Sequence, residues 1–402
     1  MTNTDSAAIP DIDAPAAIDL VRRMLEIPGK SCQEGRVVDF IVATLRDAGV
    51  PESAIATDDV HRKSPAGGEV GNLIVKLPGT RRGPRRLLMA HVDTVPLCVG
   101  AKPVIDGEVI RSADPATALG ADDRSGACVL LNAVLEIFRH NLAHPPLTFF
   151  WPVQEEIGLY GARFVNIAKL GNPKLCFNWD GNSAQMACLG ATGDYSLEIE
   201  IEGIASHAGV APEKGVSAIA VAAVAIADLQ RNGWHGLVVK GRHTGSSNIG
   251  MISGGDATNV VTPRVTLRGE VRSHNPQFRL RLVKEFRKAF ERAVKQVKNA
   301  AGQRGEFDFR AELKYESFRL EESEPCVAEA LAAIRAVGLE AQTRISNGGL
   351  DANWLSSRGL PTVTLGCGQQ DVHTVKETLQ LKSYLQACRI GLVLATGTLG
   401  SR

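Results

Sequence analysis

What the chain lacks narrows its class first. No stretch reaches about 18 consecutive apolar residues, so no membrane-spanning helix is expected. Neither charge is in excess: 45 Lys and Arg stand against 44 Asp and Glu, a formal net charge of +1. A dedicated nucleic-acid binder usually shows a strong basic surplus, so neither nucleic acid nor a membrane is expected as a partner. The 40 glycines follow no Gly-X-Y period, which excludes a collagen-like rod. There is no internal repeat. None of the eight cysteines forms a C-x-x-C pair, and most sit in apolar runs such as Cys128-Val-Leu-Leu and Leu175-Cys-Phe. Buried free thiols in a reducing compartment fit better than a disulfide framework or a zinc knuckle. Residues 1–15 are small, polar and mildly acidic, without a basic start and an apolar core. They read as a frayed tail of a cytoplasmic protein, not as a secretory signal.

What is present fits a globular chain of two or three domains: 402 residues, 44 % hydrophobic and 22 % charged. In the first half, helical spacing at 17–25, 36–47 and 125–139 alternates with strand-like runs at 72–77, 86–90, 147–153 and 175–179. That alternation predicts an α/β core with a mixed, largely parallel sheet flanked by helices. The texture changes near Gly193. Residues 195–202 alternate strictly, with Tyr195, Leu197, Ile199 and Ile201 on one face, as in an open antiparallel sheet. A helix at 216–230, strands at 247–253 and 265–273, a helix at 277–298 and a strand at 306–315 follow. The order β-α-β-β-α-β predicts an inserted ferredoxin-like α+β lid domain. A helix at 327–337 and a strand at 361–365 return to the first texture. The expected division is 1–193 and 316–402 for the core and 194–315 for the insertion. The helix at 277–298 carries eight basic residues. A solvated face explains them, because Leu280, Val283, Phe286, Phe290 and Val294 supply a buried stripe.

Chemistry-bearing residues gather where the core strands end. Ligands bind beyond the carboxyl ends of strands in open α/β sheets. His91-Val-Asp93 follows the strand at 86–90, Glu155-Glu156 ends the run at 147–153, and Asp180 follows 175–179. His373 lies beyond 361–365, and Asp122-Asp123 opens an apolar helix after a glycine-rich approach. Each alone has a plain explanation as a turn residue, a surface acid or a helix cap. Together they offer two imidazoles and several carboxylates, a mixed donor set suited to Zn²⁺, Co²⁺ or Mn²⁺. The donors exceed the needs of one catalytic ion, so two ions sharing a carboxylate fit them. Adjacent acids at a strand end point different ways, which suits one glutamate as a ligand and the other as a general base.

The ordered set H-V-D, G-A-D-D-R-S-G, Q-E-E-I-G, N-W-D-G and D-V-H-T resembles the M20 family of dinuclear metallopeptidases, with its nearest likeness in the peptidase T (tripeptidase) branch. The resemblance runs from about residue 17 to the C-terminus. It implies a zinc-exopeptidase-like core, a short peptide as substrate, two divalent ions (zinc first, cobalt or manganese as substitutes) and a homodimer through the lid. It places His91 and Asp180 on one ion, Glu156 and His373 on the other, and Asp122 between them. Asp93 would steady His91, and Glu155 would be the general base. Gly203-Ile-Ala-Ser-His-Ala-Gly is similar to the lid motif in which His207 stabilises the oxyanion. Asn259 and Arg272 would hold substrate oxygens and a carboxylate. Asn347, Gly348 and Gly349 open a loop similar to the family's glycine-rich substrate loop. Part of the site on the lid implies gating by lid closure. One departure is Arg124, where the family usually has Lys. The same machinery serves N-acyl amino acid deacylases and carboxypeptidases, because all cleave an amide. A non-catalytic homologue would have lost a ligand or the glutamate base, and neither is lost.

Overall fold

The computed structural model describes residues 11–397 and divides into two compact units. One comprises residues up to Gly190 together with Arg319–Ser346 and the segment from Leu350 onward; the other comprises Ala191–Phe318 and Asn347–Gly349.

The first unit is built on a nine-stranded sheet. Its centre is four neighbouring parallel strands in the order Leu147–Trp151, Arg86–Met89, Leu175–Trp179, Thr362–Leu365. Every residue of these four strands is buried, which explains why they read as largely apolar runs without strict alternation. Antiparallel strands flank them, Leu73–Leu77 on one side and Met186–Ala191 on the other. Side chains leave the sheet alternately to two faces. Leu87, Met89, Phe150 and Cys176 pack with Ala162, Leu355 and Leu360 in one apolar cluster. On the other face the Trp151 indole donates to the Ala127 carbonyl of the helix Ala121–His140. The helix Leu381–Thr396 also lies on that side, where Gly391 sits close to both Val129 and the Trp179 ring. A separate four-stranded antiparallel sheet contains the short strands Pro103–Asp106, Val109–Ser112, Gln369–Gln370 and Thr378–Gln380.

Of the segment expected to fray, residues 11–15 are held in the fold. Residues 1–10 lie outside the described residues. Asp11 pairs with Arg389, Asp13 caps the helix Ala14–Leu25, and Pro15 stands in that helix's first turn, where its missing N–H costs nothing.

The second unit is a five-stranded antiparallel sheet in the order Gly236–Lys240, His243–Gly254, Arg264–Ser273, Gly193–Glu202, Glu306–Tyr315. The extra edge strand Gly236–Lys240 corrects the expected split pattern to β-α-β-β-β-α-β. It is short and exposes Leu237 and Val239, so it carries little of the inward-facing signal that marks its neighbours. Leu197, Ile199 and Ile201 face Val221, Ala222 and Ala225 of the helix Ala218–Arg231 and Leu282, Phe286 and Phe290 of the helix Pro276–Gln296. The buried stripe of the latter helix is Phe278, Leu282, Phe286, Ala289, Phe290 and Ala293, whereas Leu280 is exposed and Val283 only partly buried. The correction is a rotation of the stripe: the alanines count as core, and 3.6-residue spacing from Phe286 selects Leu282, not Leu280. Of the eight basic residues, Arg279 is buried, donating to the Ser273 carbonyl at 3.0 Å and pairing with Glu316.

Candidate metal centre

Four of the proposed ligand positions follow the parallel strands of the first unit, so parallel pairing brings them to one edge of the sheet. The fifth, Asp122, stands at the start of the helix Ala121–His140, where its backbone is not yet helical and its peptide bond to Asp123 is cis. Two groups of donors result, His91 with Asp122 and Asp180, and Asp122 with Glu156 and His373. Within each, the ligand atoms all lie within 4.8 Å of one another. Asp122 spans both: its Oδ1 lies 3.2 Å from His91 Nε2 and its Oδ2 3.3 Å from His373 Nε2. His373 Nε2 is 2.9 Å from Glu156. His373 and Gln154, which precedes Glu155, both adopt left-handed backbone, a conformation non-glycine residues hold only where their surroundings impose it.

Asp93 does more than face His91. Its carboxylate lies 3.4 Å from His91 Nδ1, a nitrogen that also approaches the Asp93 carbonyl at 3.1 Å. The same carboxylate accepts the backbone N–H of Glu155 at 2.9 Å and of Glu156 at 3.2 Å, and the Ser31 hydroxyl at 2.6 Å. It therefore fixes the strand-end turn that aims both glutamates. Ser31 and Glu34 escape sequence reasoning because their loop carries no ligand motif. Glu34 Oε1 accepts the N–H groups of Cys32 and Gln154, which secures the residue just before Glu155.

The electrostatics call for cations. Carboxylates of Asp93, Asp122, Asp123, Glu155, Glu156, Asp180 and Asp351 crowd together, while the nearby cationic side chains are His91, His373 and Arg124. Burial, then the Asp122 charge, pushes Asp180 up to about 7. Burial, reinforced by Asp93 and Asp180, pushes Asp351 up to about 8, and both its oxygens lack a hydrogen-bond partner. Burial, with Asp180 and Glu156 adding to it, raises Glu155 well above the carboxylate range. Asp122 and Asp93 stay low: burial opposes both charges, but His373 and His91 outweigh it at Asp122, and His91 with Ser31 outweighs it at Asp93. Buried carboxylates without partners are costly, and divalent ions held by two imidazoles and three carboxylates relieve that cost. The residues present therefore fit a dinuclear centre.

Arg124 is fully buried and turned away from the donors. It donates to the Met24 carbonyl at 3.3 Å and the Gly29 carbonyl at 3.0 Å, and burial lowers it to about 10. A side chain on Gly29 would collide with this guanidinium. The Arg that departs from the family pattern thus has a fitted place of its own.

The remaining predicted residues lie in the second unit. His207 is exposed, and its Nδ1 accepts the N–H groups of Gly209 and Val210, both at 3.2 Å. The ring proton must then sit on Nε2, which leaves a donor pointing outward. Asn259 is its neighbour through an Ala208 N–H to Asn259 carbonyl bond of 2.8 Å. Arg272 gives its Nε and one terminal nitrogen to Glu270, both at 2.9 Å, and stands 3.9 Å from buried Asp194. Its fork is already engaged, a feature sequence reasoning missed although Glu270 lies two residues away on the same strand face. Asn347 bonds His274 at 3.0 Å. At Gly349 any side chain would collide with the Tyr315 ring, so packing alone demands glycine there.

Known proteins with these features converge. Residues 189–298 match the family described as a peptidase dimerisation domain, and residues 72–208 match peptidase family M28. A tripeptidase structure from Staphylococcus aureus aligns over 97 % of this chain and 100 % of its own, with 28 % identity and a TM-score of 0.86. The aminopeptidase PepT from Bacillus cereus gives the same coverage and identity with a TM-score of 0.82. Carboxypeptidase G2 from Pseudomonas is 31 % identical, but over 52 % of this chain and 49 % of its own length. Peptidase T of Serratia proteamaculans is 25 % identical over 73 % of this chain and 68 % of its own. The dimerisation-domain match, the likeness to peptidase T and to both solved peptidases, and a donor set shared through one aspartate together support an M20 peptidase of the peptidase T-like branch.

Proposed function

We propose that this metal-dependent peptidase removes the N-terminal residue of short peptides, tripeptides first. The observation that carries the reading is the pair of donor groups sharing Asp122, with Glu155 beside them and outside both. Two divalent ions, zinc foremost, held by His91, Asp122, Asp180, Glu156 and His373, would supply Lewis acidity and a water of lowered pKa. Glu155 would accept the proton of a water as the water's oxygen bonds to the scissile carbonyl carbon. It then delivers the proton to the nitrogen as the C–N bond breaks. Asp93 keeps His91 and the Glu155-Glu156 backbone in place. His207 offers its Nε2 proton to the tetrahedral oxyanion, an interaction worth roughly 3 to 4 kcal/mol for one donor in other enzymes. Asn259 and the loop at Asn347, Gly348 and Gly349 hold substrate oxygens. Arg272 reads the terminal carboxylate, exchanging Glu270 for it. The dimerisation-domain match supports a homodimer through the second unit, and eight free thiols support a reducing, cytoplasmic setting.

The partial likeness to carboxypeptidase G2 favours a second reading, that the same machinery acts as a carboxypeptidase or as an N-acyl amino acid deacylase. A panel of a free tripeptide, its C-terminal amide, a dipeptide and an N-acetyl amino acid separates them. The tripeptide should give the highest kcat/KM. Arg272→Ala should lower it at least about tenfold, a loss of about 1.4 kcal/mol, and barely affect the amide. Preference for the N-acetyl substrate, or equal losses on peptide and amide, would overturn the tripeptidase reading.

A further inference from the structure

The glycine-rich approach to Asp122 has its own partner, and it comes from the far end of the chain. Glu377 is buried, and its carboxylate accepts three backbone N–H groups from that approach: Leu119 at 2.9 Å, Gly120 at 2.7 Å and Asp122 itself at 3.0 Å. The Cys98 thiol lies 3.9 Å from the same carboxylate. Oε2 takes Leu119 and Gly120, and Oε1 takes Asp122, so both oxygens grip the segment. Gly120 is left-handed, and a side chain there would press on Thr94 at 3.1 Å, so glycine lets this segment fold close.

A carboxylate near a helix start is ordinarily a local cap. Glu377 instead lies 255 positions from Asp122 and four residues after His373. The intervening residues form a closed turn: the Thr374 hydroxyl donates to the Asp371 carbonyl and accepts the Lys376 N–H, and the Glu377 N–H donates to the Thr374 carbonyl. One short, internally bonded segment therefore carries His373 at one end and grips the Asp122 backbone at the other.

We infer that Glu377 is a positioning residue that locks the shared donor Asp122 to the His373 loop, so that both ion sites depend on it. The inference rests on the dinuclear reading above. Charge-assisted bonds from a buried carboxylate to several N–H groups are strong, and replacing residues that orient ligands costs about 10- to 100-fold in metal affinity. Glu377→Gln keeps the volume but turns an amide NH₂ toward N–H donors, so at least one of the three bonds is lost.

The test is zinc binding by competition with a chromogenic chelator, with melting of the chelator-stripped protein to verify folding. Glu377→Gln should weaken both zinc equivalents about 10- to 100-fold. Glu156→Ala, by contrast, should weaken chiefly one. Glu377→Asp retains the charge with a shorter reach and should fall between wild type and Glu377→Gln; it is read instead if Glu377→Gln does not fold. Wild-type affinity for both equivalents in a folded variant, or a loss confined to one equivalent, would overturn the role of Glu377. Failure of the wild type to bind two equivalents would overturn the dinuclear reading itself.

Discussion

At the scale of single residues, the centre works by imbalance. Acids outnumber bases in a buried space, and the surplus is held at strand ends by other acids. Glu34 is the simplest member to test, because it is not among the donors. It is fully buried, one oxygen lacks a partner, and burial with the nearby Asp93 charge lifts it from 4.5 to about 8. A carboxyl whose folded pKa is raised holds its proton in the native state while the unfolded chain releases it. Its contribution to stability is full below about pH 4.5 and is lost as pH rises through about 8. Glu34→Gln, which stays neutral, should therefore flatten the pH dependence. In chelator-treated protein it should melt higher than wild type near pH 9, with a much smaller difference near pH 5. Thermal unfolding across that range checks it, and parallel curves would show that Glu34 is charged in the fold.

At the scale of elements, the helix Ala121–His140 is the spine of the first unit, and Arg124 moors its first turn. The guanidinium reaches the last turn of the helix Ala14–Leu25 at Met24 and the following loop at Gly29. A lysine presents one point donor and cannot reproduce that fork. Arg124→Lys should cost about 1.5 to 3 kcal/mol in chemical denaturation, the range for a hydrogen bond to a charged group. An unchanged midpoint would mean the fork is dispensable. The four central strands were legible in the sequence because burial on both faces writes a largely apolar run, and the ligands at their ends were legible with them. The helix Leu381–Thr396 was not, because it is buried nearly all round and shows no stripe. Nor were strands such as Gln369–Gln370 and Thr378–Gln380, which are too short to show a period of two. Glu377 was equally silent, because its three backbone partners leave no trace in residue type.

At the scale of the whole molecule, two units divide the work. The first carries every proposed metal donor; the second carries His207, Asn259, Arg272 and the 347–349 turn. Among the described residues no helix is long and apolar enough to cross a membrane. The central claim is that one glutamate of the adjacent pair moves protons while the other holds metal. It is tested most directly by metal content per chain in Glu155→Ala and Glu156→Ala, read beside kcat. Glu155→Ala should keep near-normal metal and lose at least about 100-fold in kcat, and Glu156→Ala should lose metal. An emptied site in Glu155→Ala with full metal in Glu156→Ala would contradict the assignment.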